Sequence, residues 1–155
     1  MSRKPSVVIV RIFKRNISYM ETAFELLGIA GSPSSVEVVE LLEKGLTKRS
    51  YLKAKAFTGF SHHDMATILS VSTKTIESKK NTDRLSDTAS ERLLKLAEVA
   101  AQGIHVFNSL DLFRAWLQRP LRLLGGKRPV ELMVNMYGLE TVKNLLGRVE
   151  HGVYS

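Results

Sequence analysis

The chain has 155 residues, 44% of them apolar and 25% charged, a net charge of +8 and no cysteine. Those are ordinary values for a globular protein long enough to bury a core without cross-links, and they exclude disulfides and thiolate metal sites. No apolar run approaches the roughly 20 residues of a membrane span, and Val7-Val8-Ile9-Val10 stops at Arg11, too short for a signal-peptide core, so a cytoplasmic protein is expected.

In chain order, residues 1–30 read as a basic arm and a short helix. Val7 to Phe13 is the only strand candidate, either a short edge strand or an arm, and the arm is favoured. Three roles stay open for this segment: reaching DNA, adding a strand to a partner, or disorder. Val36, Val39, Leu42 and Leu46 then recur at helical spacing behind Ser34-Ser35, with Gly45 near the end. Lys48 to Phe57 forms a second, basic helix with Leu52, Ala56 and Phe57 on its apolar side, ended by Gly59. Ser61 caps the next helix, with Asp64 three residues on and Met65, Ile68 and Leu69 as its buried stripe. Ser70-Val71-Ser72 makes a tight turn, and Ser72 or Thr73 opens a last short segment to Lys80. The pair has the size of a helix-turn-helix.

Ser86 to Phe107 reads as one long helix whose apolar face, with Leu93, Leu94, Leu96, Ala97, Ala100, Ala101, Ile104 and Phe107, is wide enough for more than one neighbour. Asp111 to Gln118 carries Leu112, Phe113, Trp116 and Leu117 and stops at Pro120. Trp116 is read as core, because Phe113 and Leu117 share its face. Pro129 suits the first position of a helix from Val130 to Met136, Gly138 breaks it, and Leu139, Val142, Leu145, Leu146 and Val149 stripe the final helix. The expected fold is all-α, in three segments: 1–30, a helix-turn-helix unit 31–84, and 85–155.

Most of the basic excess falls in residues 1–84, which points to a polyanion-binding half joined to a half with another task. In a helix-turn-helix the second helix enters the major groove while nearby cations hold phosphates. Ser72, Thr73, Lys74, Thr75 and Ser78 are short or cationic groups suited to base edges and backbone oxygens, and Ile76 would lock the helix inward. Arg49, Lys53, Lys55, Lys79 and Lys80 would supply the salt-dependent phosphate contacts. The reading face lacks arginine and asparagine, which argues against strong base specificity, and Glu77 either accepts from a cytosine amino group or faces water. The alternative is two short bundle helices with solvated lysines.

Enzyme chemistry finds no footing. His62 and His63 are adjacent on a helix and so diverge, and no cysteine or spaced carboxylate completes a zinc site. His105 lies among apolar residues and reads as a packed or capping histidine. Gly125-Gly126-Lys127-Arg128 lacks the spacing of a phosphate loop and the strand before it, and a helix-to-helix turn explains it as well as a contact loop does. No cofactor, metal or catalytic activity is expected.

The order of these features carries a family resemblance: a short helix-turn-helix, a long helix, Trp116-Leu117 with Pro120, Leu124-Gly125-Gly126-Lys127-Arg128-Pro129, and Leu146-Gly147-Arg148-Val149-Glu150-His151-Gly152-Val153-Tyr154. Over about residues 30–155 the chain resembles the Xre/MbcA/ParS-type antitoxins of type II toxin–antitoxin modules whose toxins carry a RES domain. The resemblance implies an N-terminal part that dimerises and represses its own operon, and a C-terminal part that binds a RES toxin and blocks its NAD pocket with the terminal segment. On that reading Glu150, His151, Gly152, Val153, Tyr154 and Ser155 enter the pocket. Glu150 and the α-carboxylate of Ser155 suit a site built for a pyrophosphate, and Tyr154 can stack where a base would. Lys127, Arg128 and Arg148 would pair with acidic groups on the toxin rim. The competing function is a stand-alone helix-turn-helix regulator whose C-terminal half is a dimerisation or effector module.

Overall fold

The computed structural model describes residues 18–152, and nearly every helix in it begins on a serine, threonine or asparagine that takes a free amide of the first turn. The helices are α1 (Tyr19–Leu27), α2 (Ser35–Lys44), α3 (Lys48–Thr58), α4 (His62–Leu69), α5 (Thr73–Glu77), α6 (Asp87–Phe107), α7 (Leu110–Leu117), α8 (Pro129–Leu132) and α9 (Met136–Glu150), with a 3₁₀ turn at Arg122–Leu124. Ser18, Ser34 and Ser61 each accept from the amide three residues on, and Glu21, Glu37 and Asp64 return the bond to the serine amide. Two orphan donors are satisfied at each of these ends. The expected all-α class is the one observed; among the described residues the only β feature is an isolated bridge between Thr47 and Arg84.

The long helix α6 organises the rest. Leu93, Leu94, Leu96, Ala97, Val99, Ala100, Ala101 and Ile104 are buried around most of its circumference, and α1, α2, α3, α4, α7 and α9 all pack on it. At its start, Ser90 Oγ accepts from the Leu46 amide (2.8 Å), the Leu85 amide donates to the Leu46 carbonyl (2.8 Å), and Arg84 Nη1 donates to the Gly45 carbonyl (2.7 Å). Toward its end, the α6–α7 turn brings the Phe113 ring directly over Gly103, where a Cβ would collide with it. The last helix, α9, runs parallel to α6 at a constant offset of 45 residues. Lys95 meets Glu140 (3.2 Å), Glu98 meets Lys143 (3.1 Å), and His105 meets Glu150 (3.6 Å). Between them, the Gln102 amide faces the Lys143 carbonyl and the Gly147 amide.

Several expectations about faces and boundaries are corrected. Residues 19–27 form α1, whose Ala23, Phe24, Leu26 and Leu27 lie in the core; the candidate arm or strand Val7 to Phe13 lies outside the described residues. Helix α2 begins and ends as expected, but Val36 and Val39 point to solvent (68% and 55% exposed). Helix α3 buries Ser50, Tyr51, Ala54, Phe57 and Thr58, leaving Ala56 exposed and Leu52 half-buried, because its inward face is set by α1 and α6. In α7, Phe113 and Leu117 are buried, Trp116 is half-buried against Phe107, and Leu112 is exposed.

The expected helix from Val130 to Met136 ends after one turn, and Asn135, not Gly138, marks the next boundary, accepting from the Gly138 amide (2.9 Å). Gly138 lies inside α9, where a Cβ would strike the Leu132 carbonyl. It allows a close approach and does not break a helix.

The two helical glycines with opposite surroundings give a paired test. Gly103→Ala should destabilise the fold by about 1–3 kcal/mol, the cost of overpacking against Phe113. Gly147→Ala, where the nearest neighbour is the Gln102 amide at 3.5 Å, should stabilise it by about 0.5–1 kcal/mol through helix propensity. Urea unfolding of the two variants against the parent chain reads both; effects of the same sign would overturn the packing described here.

Candidate functional site

The helix-turn-helix is built as its caps dictate. Ser61 starts α4, Ser70 closes it in the left-handed conformation (φ 55°), and Ser72 accepts from the Thr75 amide (3.0 Å) to start α5. Ile76 is fully buried and pins α5 to the core. The loop after α5 folds back over the start of α3: the Lys48 amide donates to the Asp83 carbonyl (2.9 Å) and the Arg49 amide to the Asn81 carbonyl (3.0 Å). Lys48 Nζ donates to the carbonyls of Lys79 (2.7 Å) and Glu77 (3.4 Å), a cation placed on the free carbonyls that end α5. Sequence reasoning passed over Lys48, whose role rests on a contact 31 residues away.

The candidate DNA-facing residues are then distributed as follows. Ser72, Lys74, Thr75, Ser78 and Lys80 are exposed, Thr73 and Lys79 half-buried. Part of the hydroxyl capacity is spent within the helix: Ser72 and Thr75 hydroxyls share a hydrogen bond (2.7 Å), and Ser78 Oγ donates to the Thr75 carbonyl (3.0 Å). Lys74 and Lys80 are the exposed cations on and just after α5. Arg49 is exposed and Lys55 half-buried on α3, while the aliphatic stem of Lys53 lies across Gly28 at the end of α1. His62 and His63 are both exposed, and His62 Nδ1 lies 2.9 Å from the Tyr51 hydroxyl.

In the C-terminal part of the chain the turn before α8 is closed by its own backbone. The Leu121 amide donates to the Lys127 carbonyl (3.0 Å) and the Gly126 amide to the Leu121 carbonyl (2.9 Å), with Gly125 and Gly126 at positive φ. Lys127 and Arg128 are exposed on it. Arg128 reaches Glu131 (3.2 Å) and Gln118 (3.2 Å), and the Arg128 amide and guanidinium hold the Glu131 carboxyl below the usual carboxylate range. This loop therefore has the turn role that the glycines and proline predict. Val134, Met136 and Tyr137, with Tyr137 85% exposed, form an apolar corner at the start of α9 that periodicity alone does not single out.

Arg148, Glu150, His151 and Gly152 follow at the end of α9 and are exposed; Val153, Tyr154 and Ser155 lie outside the described residues. Glu150 is not idle: its Oε1 accepts from the Tyr19 hydroxyl at 2.6 Å and lies 3.6 Å from His105 Nε2, and the Tyr19 and His105 rings meet edge to face at 5.0 Å. The histidine read as packed among apolar residues thus sits at the surface in a small polar cluster. Burial, reinforced by the hydrogen bond from Tyr19 to Glu150 and by the charge of that carboxylate, pushes the Tyr19 phenol up to about 12.

The N-terminal and C-terminal parts of the chain are tied by guanidinium clamps. Arg114 of α7 donates to the carbonyls of Phe57 (2.8 Å) and Ala56 (2.7 Å) at the end of α3, and Arg92 Nη1 donates to the carbonyls of Ile68 (3.2 Å) and Val134 (3.3 Å). Among the described residues no three histidine or carboxylate side chains are grouped to hold a metal ion, and no helix is long and apolar enough to cross a membrane.

Comparison with known proteins assigns a domain type to each end. Residues 37–98 match the model of the antitoxin Xre-like helix-turn-helix domain, and residues 102–152 that of the antitoxin Xre/MbcA/ParS C-terminal toxin-binding domain. The chain is similar to the Prs ADP-ribosylating antitoxin of Sphingobium sp. (strain YBL2), at 26% identity over 132 residues covering 79% of this chain and 83% of that protein. It is also similar to antitoxin Xre of Photorhabdus laumondii, at 25% identity over 126 residues, 80% of this chain and 85% of that one. Over 74 residues, 46% of this chain and 49% of the relative, it is 32% identical to antitoxin Xre of Yersinia enterocolitica.

Because the folded state holds the Tyr19 proton more tightly than the unfolded chain does, its contribution to stability is complete below the ordinary pKa of 10 and is lost as pH rises toward about 12. Tyr19→Phe should remove that part of the alkaline loss. Urea midpoints followed from pH 9 upward should fall less steeply for the variant than for the parent; identical slopes would show that Tyr19 is not held by Glu150.

Proposed function

The chain belongs to the Xre/MbcA/ParS antitoxins, and from that premise we propose that it neutralises a RES-domain, NAD-consuming toxin by lodging the segment after α9 in the toxin's NAD pocket, and represses its own operon through the helix-turn-helix. The observation that carries this reading is the separation of the two surfaces along α6. Arg92 contacts the end of α4 near the start of α6, whereas Glu150 contacts His105 near its end. At 1.5 Å per residue, those positions are about 20 Å apart. A duplex seated on α5 leaves the end of α9 uncovered, so one molecule has room for both partners.

Supporting chemistry exists at each end. Lys74 and Lys80, with Arg49, Lys55 and Lys79 nearby, make α5 the centre of a basic surface, which suits a phosphate backbone. Ser72, Thr73, Thr75 and Ser78 are the groups offered to base edges, and Lys53 of α3 is a further phosphate contact. One relative is named a Prs ADP-ribosylating antitoxin, and ADP-ribosyl transfer draws on NAD, so a pocket shaped for a dinucleotide is the natural target of the tail. Arg148 next to the tail, with the exposed Lys127 and Arg128, is offered to acidic groups on the toxin rim, whereas the exposed apolar Val134, Met136 and Tyr137 lie at the start of α9, beside Arg92 and the end of α4. Self-association into a homodimer and a larger complex with toxin completes the proposal.

Deleting Gly152 to Ser155 should abolish growth rescue against a co-expressed RES toxin while operator binding in gel-shift assays is retained. Rescue that survives the deletion would remove the pocket-blocking model; if operator binding also responds to a small effector, the chain is a stand-alone regulator. Lys79→Ala with Lys80→Ala should weaken binding to all duplexes alike and flatten the dependence of log K on log salt by about two units. An unchanged salt slope would place both lysines away from phosphate.

A further inference from the structure

The cluster of Tyr19, His105 and Glu150 joins the first described helix, the end of the central helix and the last residue of the final one, immediately before the tail. We propose that Tyr19 is a positioning residue for that tail: by holding Glu150 it keeps α9 helical to its end and fixes Gly152, the residue to which the tail is joined. This inference rests on the tail-in-pocket reading and changes the part that Glu150 plays in it. The carboxylate is the peg on which the tail is hung and remains with the antitoxin.

The geometry supports that assignment. Glu150 Oε1 receives the Tyr19 hydroxyl at 2.6 Å and faces His105 Nε2 at 3.6 Å, so the same oxygen is engaged from two elements. A bond to a charged acceptor is among the stronger hydrogen bonds, and its partners here are 131 residues apart. Tyr19 is itself well fixed, since Ala23, Phe24 and Leu27 bury α1 against α6 and its ring lies on the edge of His105. Beyond the peg, the His151 amide still donates to the Gly147 carbonyl (3.1 Å) and the Gly152 amide to the Val149 carbonyl (3.1 Å), and then Gly152 turns the chain at φ 71° with open space where a Cβ would stand. A helix end otherwise frays, and a frayed end would present the tail in many directions. Fixing it removes an entropic cost that binding would have to meet.

The test uses the full chain and the substitutions Tyr19→Phe, Glu150→Gln and Glu150→Ala, beside the deletion of Gly152 to Ser155. Phenylalanine keeps the ring contact with His105 and removes the hydroxyl alone. In amide hydrogen exchange followed by NMR, Tyr19→Phe should speed exchange at His151 and Gly152 about tenfold, the loss of one charge-assisted bond, with the amides of α6 unchanged. Glu150→Gln, which still accepts from Tyr19, should keep most of the protection, and Glu150→Ala should lose it. Against the RES toxin, affinity should follow the same order, Tyr19→Phe and Glu150→Ala about tenfold weaker and Glu150→Gln near the parent, with operator binding constant.

Unchanged exchange at His151 and Gly152 in Tyr19→Phe overturns the proposal whatever the toxin does. So does a pattern in which Tyr19→Phe neutralises fully while Glu150→Gln is as poor as Glu150→Ala, since the carboxylate would then be acting inside the toxin. If the deletion leaves neutralisation intact, the pocket reading fails by itself, and the exchange data still decide whether Tyr19 holds the helix end.

Discussion

A helix with apolar side chains around most of its circumference has no stable surface to show to water, and α6 is such a helix. It must be covered on almost every side, and the chain supplies six helices to do so. The fold follows from that demand. Helices α1, α3 and α4 cover it from the N-terminal part, α7 and α9 from the C-terminal part, and α2 closes the end at Leu46 and Ser90. Burial of Leu93, Leu96, Val99, Ala100 and Ile104 at zero or near-zero exposure is worth roughly 1.5–3 kcal/mol for each of the larger side chains. The polar contacts around them mainly decide which arrangement is adopted.

The row of pairs between α6 and α9 is the clearest case of that division. Lys95, Glu98, Glu140 and Lys143 are partly screened by water, so their attraction adds modestly to stability. Burial alone would lower the Lys95 pKa, yet the carboxylates of Glu98 and Glu140 outweigh it and hold the ammonium above its usual range. What the row does is set register. Leu139, Val142 and Leu146 supply the apolar contact, and opposite charges face each other only at the observed offset.

What could be read in the residue string was local. Ser34, Ser61, Ser72 and Ser86 announce helix starts because a cap acts within three residues, and Gly45 and Gly59 end helices for an equally local reason. The pattern Ser18-x-x-Glu21 with Gly28 has the same strength and bounds the short helix expected within residues 1–30. The side of a helix that faces inward was less legible: Val36 and Val39 satisfy the spacing for burial but are exposed among the described residues. Gly138 resembles a breaker until the Leu132 carbonyl is placed beside it. Of the functional surfaces, the basic helix and the helix-to-helix turn were readable from composition and spacing. The bond between Tyr19 and Glu150, like the clamps of Arg92 and Arg114, depends on residues far apart in sequence and had no signal there.

The matched helix-turn-helix domain stops at Glu98 and the matched toxin-binding domain starts at Gln102, so the seam between them falls in the middle of α6. No linker separates the two parts, and each supplies walls to the other's interior through Arg114, Arg92 and the α6–α9 row. Shuffling by recombination, which renews multidomain regulators by joining one ready-made half to another, has no clean joint to use here. A hybrid cut at the seam would inherit mismatched neighbours along the whole helix. A substitution on the central helix is therefore felt by both parts at once, because the same side chains form the wall of each.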